Sequence, residues 1–203
     1  EARDTLVITR ERSRQVFEFA FELARSRASA GGKSKVTLVD KANVFSSMAF
    51  FRKVFDEVAA THTDIETERL YVDACALDLV RRPWEFDVLV TENMFGDILS
   101  DLAAGLVGGM GFAPSADIGD SRAVFQPAHG SAPDIVGKGI ANPTAAILSG
   151  AMMLDWLGRK HQLSSCLDAA RLIEEAVEQA LQGGAEALSS TTGMTQRVMD
   201  AVG

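Results

Sequence analysis

Cationic side chains are in short supply in this sequence. Its 20 Lys and Arg stand against 28 Asp and Glu, leaving a net charge of −8. No basic stripe is available to neutralise a phosphate backbone, which excludes a nucleic-acid partner. An acidic small molecule is not excluded, because one local cation or metal ion can reverse the field of a single pocket. Long apolar runs are missing too: nothing approaches the ~18 residues of a membrane span, and no signal-peptide pattern is visible. The two cysteines, Cys75 and Cys166, show no CxxC or ligand spacing. Two free thiols in a reducing compartment follow, and with them a cytoplasmic location. Proline is sparse, and glycine is scattered without period, so the chain is neither disordered nor fibrous.

What remains is the composition of an ordinary globular enzyme. With 203 residues, 47% hydrophobic and 24% charged, the chain can form one large domain or parts of two. Glu1 in place of Met reads as a start within a longer protein.

Helical spacing of Val16, Phe17, Ala20, Phe21 and Ala24 predicts a helix over 10–27. Ala30-Gly31-Gly32 ends it, and Val36 to Val39 reads as a buried strand. A helix is expected from Ser47 to about Ala60, an extended segment over 65–72, and a helix from Asp73 to about Arg81. Phe86 to Thr91 has the apolar character of a central parallel strand, with a helix over about 95–106 behind it. Short strands and loops fill 107–128, and a Gly-rich loop runs from His129 to Asn142. Pro143 suits the first turn of a helix. That helix, 145–157, is apolar almost all round and is expected to be buried and central. An amphipathic helix over about 167–181, the run Ser189-Ser190-Thr191-Thr192-Gly193 and a short terminal helix close the chain. Strands alternating with helices make this an α/β protein.

Two features carry chemistry. Asp97 and Asp101, four apart in a predicted helix, share one face with Cβ atoms about 5–6 Å apart, and like charges so placed call for something positive between them. Oxygen ligands for Mg²⁺ or Mn²⁺ resolve the conflict; spacing alone also allows solvated surface acids or an N-cap. Asp73, Lys41 and Asn43 fall just past strand ends, where open α/β sheets bind ligands. Lys41 is then either the surface partner of Asp40 or an ammonium aimed into that site. The second feature is His129-Gly130-Ser131-Ala132-Pro133-Asp134-Ile135 with Gly137, Gly139 and Asn142. Glycines let backbone approach a flat or phosphorylated ligand, and an acid such as Asp134 can accept from the ribose hydroxyls of NAD. No GxGxxG follows a strand, so this is not a Rossmann site. Taken alone, His129 reads equally as a loop residue bonded to nearby backbone.

Together these segments resemble the β-decarboxylating dehydrogenases: isopropylmalate, isocitrate, homoisocitrate and tartrate dehydrogenases. Thr91-Glu92-Asn93-Met94-Phe95-Gly96-Asp97-Ile98-Leu99-Ser100-Asp101, preceded by Phe86-Asp87, looks like the family's metal signature. His129 to Ile135, with Gly137 to Thr144, looks like its adenosine loop. Val39 to Val44 resembles the segment with its catalytic lysine, and Tyr71-Val72-Asp73 the one with its third carboxylate.

The resemblance implies an isopropylmalate/isocitrate dehydrogenase-like three-layer sandwich, of which this chain is the C-terminal portion, with the N-terminal part absent. Residues 1–112 would be the latter part of a dimer-forming, metal and substrate domain, and 113–203 the C-terminal part of an NAD-binding domain. It implies a homodimer with shared active sites, where Asp97 and Asp101 of one subunit and Asp73, Lys41 and Asn43 of the other meet around Mg²⁺ or Mn²⁺. Lys41 and Asp73 would be catalytic, Asp73 also a metal ligand. Asn43, His129, Gly130, Ser131, Ala132, Asp134, Ile135 and Asn142 would contact NAD. NADP-using relatives generally carry Lys-Tyr where this chain has Asp134-Ile135.

The implied reaction is oxidative decarboxylation of a malate-type 2-hydroxy acid, foremost 3-isopropylmalate in leucine biosynthesis. Tartrate/D-malate and homoisocitrate dehydrogenases are the alternatives within the family. A non-catalytic paralogue or inactive fragment is the alternative outside it, and on this reading 203 residues alone lack normal activity. One departure is Gln126-Pro127, where many relatives have Glu-Pro.

Overall fold

The computed structural model describes residues 1–182 and 190–203; Ser189, at the start of the Ser/Thr run noted above, lies outside them. Two units follow one another, Glu1–Ala103 and Ala104–Gly203.

In the first unit, the stripe read from the sequence becomes helix α1, Arg10–Ala28, which buries Phe17, Ala20, Phe21 and Ala24. Thr9 caps it, its hydroxyl accepting from the Arg12 amide. Strand β1, Lys35–Asp40, leads into α2, Ser46–Ala59. Strand β2, Glu66–Tyr71, leads into α3, Val72–Arg81. After a 3₁₀ turn at Pro83–Glu85, β3, Val88–Val90, leads into α4, Asn93–Leu106.

The sheet order is β2-β1-β3, and both pairings are parallel. Alternation along β1 divides the core into two layers. Val36 and Leu38, with Val88 and Val90, meet Phe17 and Phe21 of α1 and Phe51, Val54 and Phe55 of α2. Val39 points the other way, into a cluster with Cys75 and Leu79 of α3 and Leu99 of α4. Helices therefore cover both faces of the sheet. Three phenylalanines, Phe17, Phe21 and Phe55, are fully buried, and each contributes about 1.5–3 kcal/mol by leaving water. Because all three strands run the same way, the starts of α2, α3 and α4 gather along one edge of the sheet.

The second unit is built on an antiparallel hairpin, β4 (Pro114–Ile118) with β5 (Ala123–Pro127), and three helices. These are α5, Thr144–His161; α6, Ser164–Leu181; and α7, Thr191–Val202. Helix α5 packs against both α6 and the hairpin. The expectation that α5 is buried all round is corrected. Its buried positions are Thr144, Ala145, Ser149, Ala151 and Gly158, and Met153 stays 41% exposed. Small residues on one stripe allow close packing, while the rest of the helix has only partial cover within this chain. Among the described residues no helix is long and apolar enough to cross a membrane.

Candidate functional site

Lys41 is the first residue beyond β1, and Asp73 lies in the first turn of α3 just beyond β2. The register pairs Asp40 with Tyr71, so the parallel sheet delivers both side chains to the same edge. The Lys41 ammonium donates to Asp73 Oδ1 at 2.6 Å. That hydrogen bond, aided by the Asp73 backbone, holds the Asp73 carboxyl below the usual carboxylate range. Its place in the first turn of α3 suits a negative charge.

The alternative pairing of Lys41 with Asp40 does not occur. Asp40 is fully buried and faces Arg52 of α2, with Nε to Oδ2 and Nη2 to Oδ1 both 2.7 Å. Its Oδ1 also accepts from the Ala42 amide at 2.9 Å. Removing Arg52 would leave the buried Asp40 charge without its cation, a loss of up to about 3–5 kcal/mol. Sequence reading did not single out Arg52. Its spacing from Asp40 carries no motif, and only the fold brings α2 over the end of β1.

Asp97 and Asp101 lie one turn apart on α4, and both are exposed. Asp97 Oδ2 accepts from the Asn93 amide group at 3.1 Å. Among the described residues no ion pair of this unit includes either acid; of its cations Arg25 pairs with Asp64, Lys41 with Asp73, Arg52 with Asp40, Arg69 with Asp56 and Arg82 with Asp78. Glu92, also unforeseen, caps α4 by accepting from the Met94 and Phe95 amides at 3.0 and 2.8 Å. Asn43 is exposed in the turn after Lys41. Among the described residues no three His, Cys, Asp or Glu side chains converge on a metal-sized point. A single copy thus brings Lys41 to Asp73 and places Asp97 beside Asp101, without drawing all three carboxylates together.

In the second unit the Gly-rich segment forms an open loop. Ala132 adopts a left-handed conformation (φ 41°) before a 3₁₀ turn at Pro133–Ile135, and Gly137 and Gly139 have positive φ. Gly130 differs. Its φ is ordinary and a Cβ there would meet nothing within 4 Å, so nothing among the described residues requires glycine at that position. His129 Nδ1 lies 2.9 Å from the Gly130 carbonyl oxygen, which can only accept, so Nδ1 is the donor of that contact. Ser131 and Asp134 are exposed and Ile135 half-buried. Asn142 Oδ1 accepts from the Thr144 amide at 2.9 Å, capping α5. The loop is anchored by Thr191 of α7, whose amide donates to Gly139 O at 2.9 Å and whose hydroxyl donates to Ala141 O. The sequence shows Thr191 only as one member of a Ser/Thr run.

The family model described as isocitrate/isopropylmalate dehydrogenase matches residues 1–202. Among curated relatives, the 3-isopropylmalate/3-methylmalate dehydrogenase of Methanocaldococcus jannaschii is 50% identical over 181 residues, covering 89% of this chain and 52% of that protein. The isocitrate/homoisocitrate dehydrogenase of Thermus thermophilus is 46% identical over 202 residues, covering 97% of this chain and 57% of that protein. Among solved structures, isocitrate dehydrogenase from Methylococcus capsulatus superimposes with a TM-score of 0.86 at 44% identity, over 98% of this chain and 58% of that one. The chain spans about half the length of the curated relatives it matches.

These findings correct two expectations. The resemblance was placed on a C-terminal portion, and the fold was expected with its N-terminal part absent. Instead the family pattern runs from residue 1 to residue 202, and the structural likeness covers 98% of the chain. Every strand and helix of both units falls inside that span.

Proposed function

The chain belongs to the isocitrate/isopropylmalate dehydrogenase family, and on that premise we propose that it serves an NAD-dependent, metal-dependent oxidative decarboxylation of a malate-type 2-hydroxy acid. The substrate is 3-isopropylmalate, converted with NAD⁺ to 4-methyl-2-oxopentanoate, CO₂ and NADH, a step of leucine synthesis. One observation carries the reading: the Lys41–Asp73 contact at 2.6 Å sits on the sheet edge where the strand leading to Asp97 and Asp101 also ends. Binding at the carboxyl ends of parallel strands is the rule for open α/β sheets.

The residues fit the groups the reaction needs. Asp97, Asp101 and Asp73 offer hard oxygen ligands suited to Mg²⁺ or Mn²⁺, and the first two lack a cation of their own within this unit. When bound, the divalent ion supplies Lewis-acid polarisation and NAD supplies the hydride acceptor. Lys41 takes the proton of the substrate's 2-hydroxyl, and Asp73 holds its side chain in place. Asn43 would lie beside the nicotinamide. Gly130 and Ser131 admit the adenosine against bare backbone, with His129, Ala132, Ile135 and Asn142 around it. Asp134 accepts from the ribose hydroxyls and repels a 2′-phosphate, which favours NAD over NADP.

A homodimer with shared sites is part of the proposal. Asp73 and Lys41 of one copy would complete the Asp97–Asp101 pair of the other. Support comes from helices α3 and α4, which carry these acids and leave Leu77, Val80, Met94 and Ile98 more than half exposed. Two free thiols support a cytoplasmic location. The retention of Lys41, Asp73, Asp97 and Asp101 together favours an enzyme over a non-catalytic relative.

The test is a spectrophotometric screen of the protein with isopropylmalate, D-malate, tartrate, isocitrate and homoisocitrate. NADH formation with isopropylmalate foremost is expected; equal rates with several substrates contradict a dedicated leucine-pathway role. Replacing Asp97 with Asn is expected to abolish Mn²⁺ binding and turnover together, and retained turnover would sink the mechanism.

A further inference from the structure

We propose that Arg52 and Asp40 act as a positioning pair that fixes the Lys41 amine for proton transfer, an inference that rests on the functional reading above. Asp40 ends β1 and is fully buried. One of its oxygens accepts from Arg52 Nε at 2.7 Å; the other accepts from Arg52 Nη2 at 2.7 Å and from the Ala42 amide at 2.9 Å. A single carboxylate thereby locks the backbone on the far side of Lys41 to helix α2. On the same turn the Lys41 carbonyl accepts from the Val44 and Phe45 amides, both at 3.0 Å. Lys41 is held from behind by Asp40, bound to Arg52, and from ahead through Ala42 and the turn into α2, so its side chain leaves a clamped backbone.

The pair also reaches β2, the strand that leads to Asp73. The Arg52 guanidinium lies 5.1 Å from the centre of the Tyr71 ring, and Lys41 Nζ lies 5.9 Å from the same centre. Tyr71 is two residues before Asp73. Arg52 thus supports both ends of the Lys41–Asp73 contact while touching neither side chain.

Stability alone is a weak reason for this arrangement, since apolar residues of matching volume often replace a buried ion pair at no cost. What charge adds is a fixed direction. The planar guanidinium grips a carboxylate through two parallel bonds, which lysine, as a point charge, does not reproduce.

Three variants of the protein test the proposal: Arg52→Lys, the double change Asp40→Leu with Arg52→Met, and Arg25→Met as a control that breaks an exposed pair elsewhere in the unit. Misplacing a reacting group by about 1 Å costs about 10²-fold in rate, so Arg52→Lys is expected to lower kcat by about that factor and leave KM unchanged. The double variant removes both charges together, so it is expected to fold, and its kcat falls equally. Arg25→Met keeps its kcat. Amide exchange at Ala42, Val44 and Phe45 is expected to quicken at least about 10-fold in Arg52→Lys, as local opening replaces a fixed turn, with Val36 to Val39 unchanged. A double variant that folds and keeps the wild-type kcat overturns the proposal, as does a loss confined to KM. If the wild-type protein turns over none of the five substrates, the functional reading fails by itself. The pair is then judged on exchange, and undisturbed protection of Ala42, Val44 and Phe45 in Arg52→Lys overturns it.

Discussion

Lys41 and Asp73 end up 2.6 Å apart although 32 residues separate them in the chain. Parallel pairing of β1 with β2 is the cause, since it brings the residues after both strands to one edge. The Lys41 ammonium holds the Asp73 carboxyl low. Replacing Lys41 with Met should return that carboxyl upward, toward the ordinary aspartate value of about 3.9, as read by carbon NMR of labelled aspartate. If Lys41 is the base, turnover should fall by about 10²- to 10⁴-fold in the same variant. An unmoved Asp73 titration removes the contact from solution, and unmoved turnover removes the base.

Much of this arrangement could be read along the chain, but not its supports. Periodicity at Phe17, Ala20, Phe21 and Ala24 predicts α1, and the apolar run before Thr91 predicts β3, because each signal is local. Local spacing also puts Asp97 and Asp101 on one helical face. Arg52 under Lys41 and Thr191 beside Gly139 are different, because each contact joins segments that only the fold brings together. The expected burial of α5 failed for a related reason. An apolar sequence states what a helix can bury, not how many neighbours this chain supplies.

Gly130 offers a test that separates ligand approach from folding. Its φ does not demand glycine, and a Cβ there would touch nothing among the described residues. Gly130→Ala should therefore leave the thermal midpoint unchanged while raising KM for NAD several-fold, because the methyl occupies space that backbone concedes to the adenosine. A lowered midpoint with unchanged KM would show that this glycine serves the fold.

Gly158 makes the opposite case. A Cβ at that position would lie 2.6 Å from Leu167 Cδ2 and 3.1 Å from the Leu163 carbonyl oxygen, where α5 turns back into α6. Alanine gains up to about 1 kcal/mol in helix propensity, but overpacking a tight contact costs about 1–3 kcal/mol. The clash involves backbone as well as a side chain, so net destabilisation is expected for Gly158→Ala in urea unfolding. A more stable variant would mean that Leu167 has room to move.

Two carboxyls should give pH dependences of opposite sign. The hydrogen bond from Arg82 holds the Asp78 carboxyl low, so its contribution is present above the unfolded value of about 3.9 and is lost as pH falls through the lower folded value. Asp78→Asn should therefore lower the thermal midpoint at pH 7, with the difference shrinking below about pH 4. Glu174 is raised, first by burial and then by the negative charge of Asp155, with Arg159 opposing. Its charged form is penalised in the folded state, so stability is lost as pH rises through the folded value. Glu174→Gln should raise the midpoint at pH 7, and that gain should vanish below about pH 4, where both states are protonated. Because Glu174 remains substantially exposed, its effect should be the smaller of the two. Two differences of the same sign across a thermal titration from pH 3 to pH 7 would show that one of these environments is misjudged.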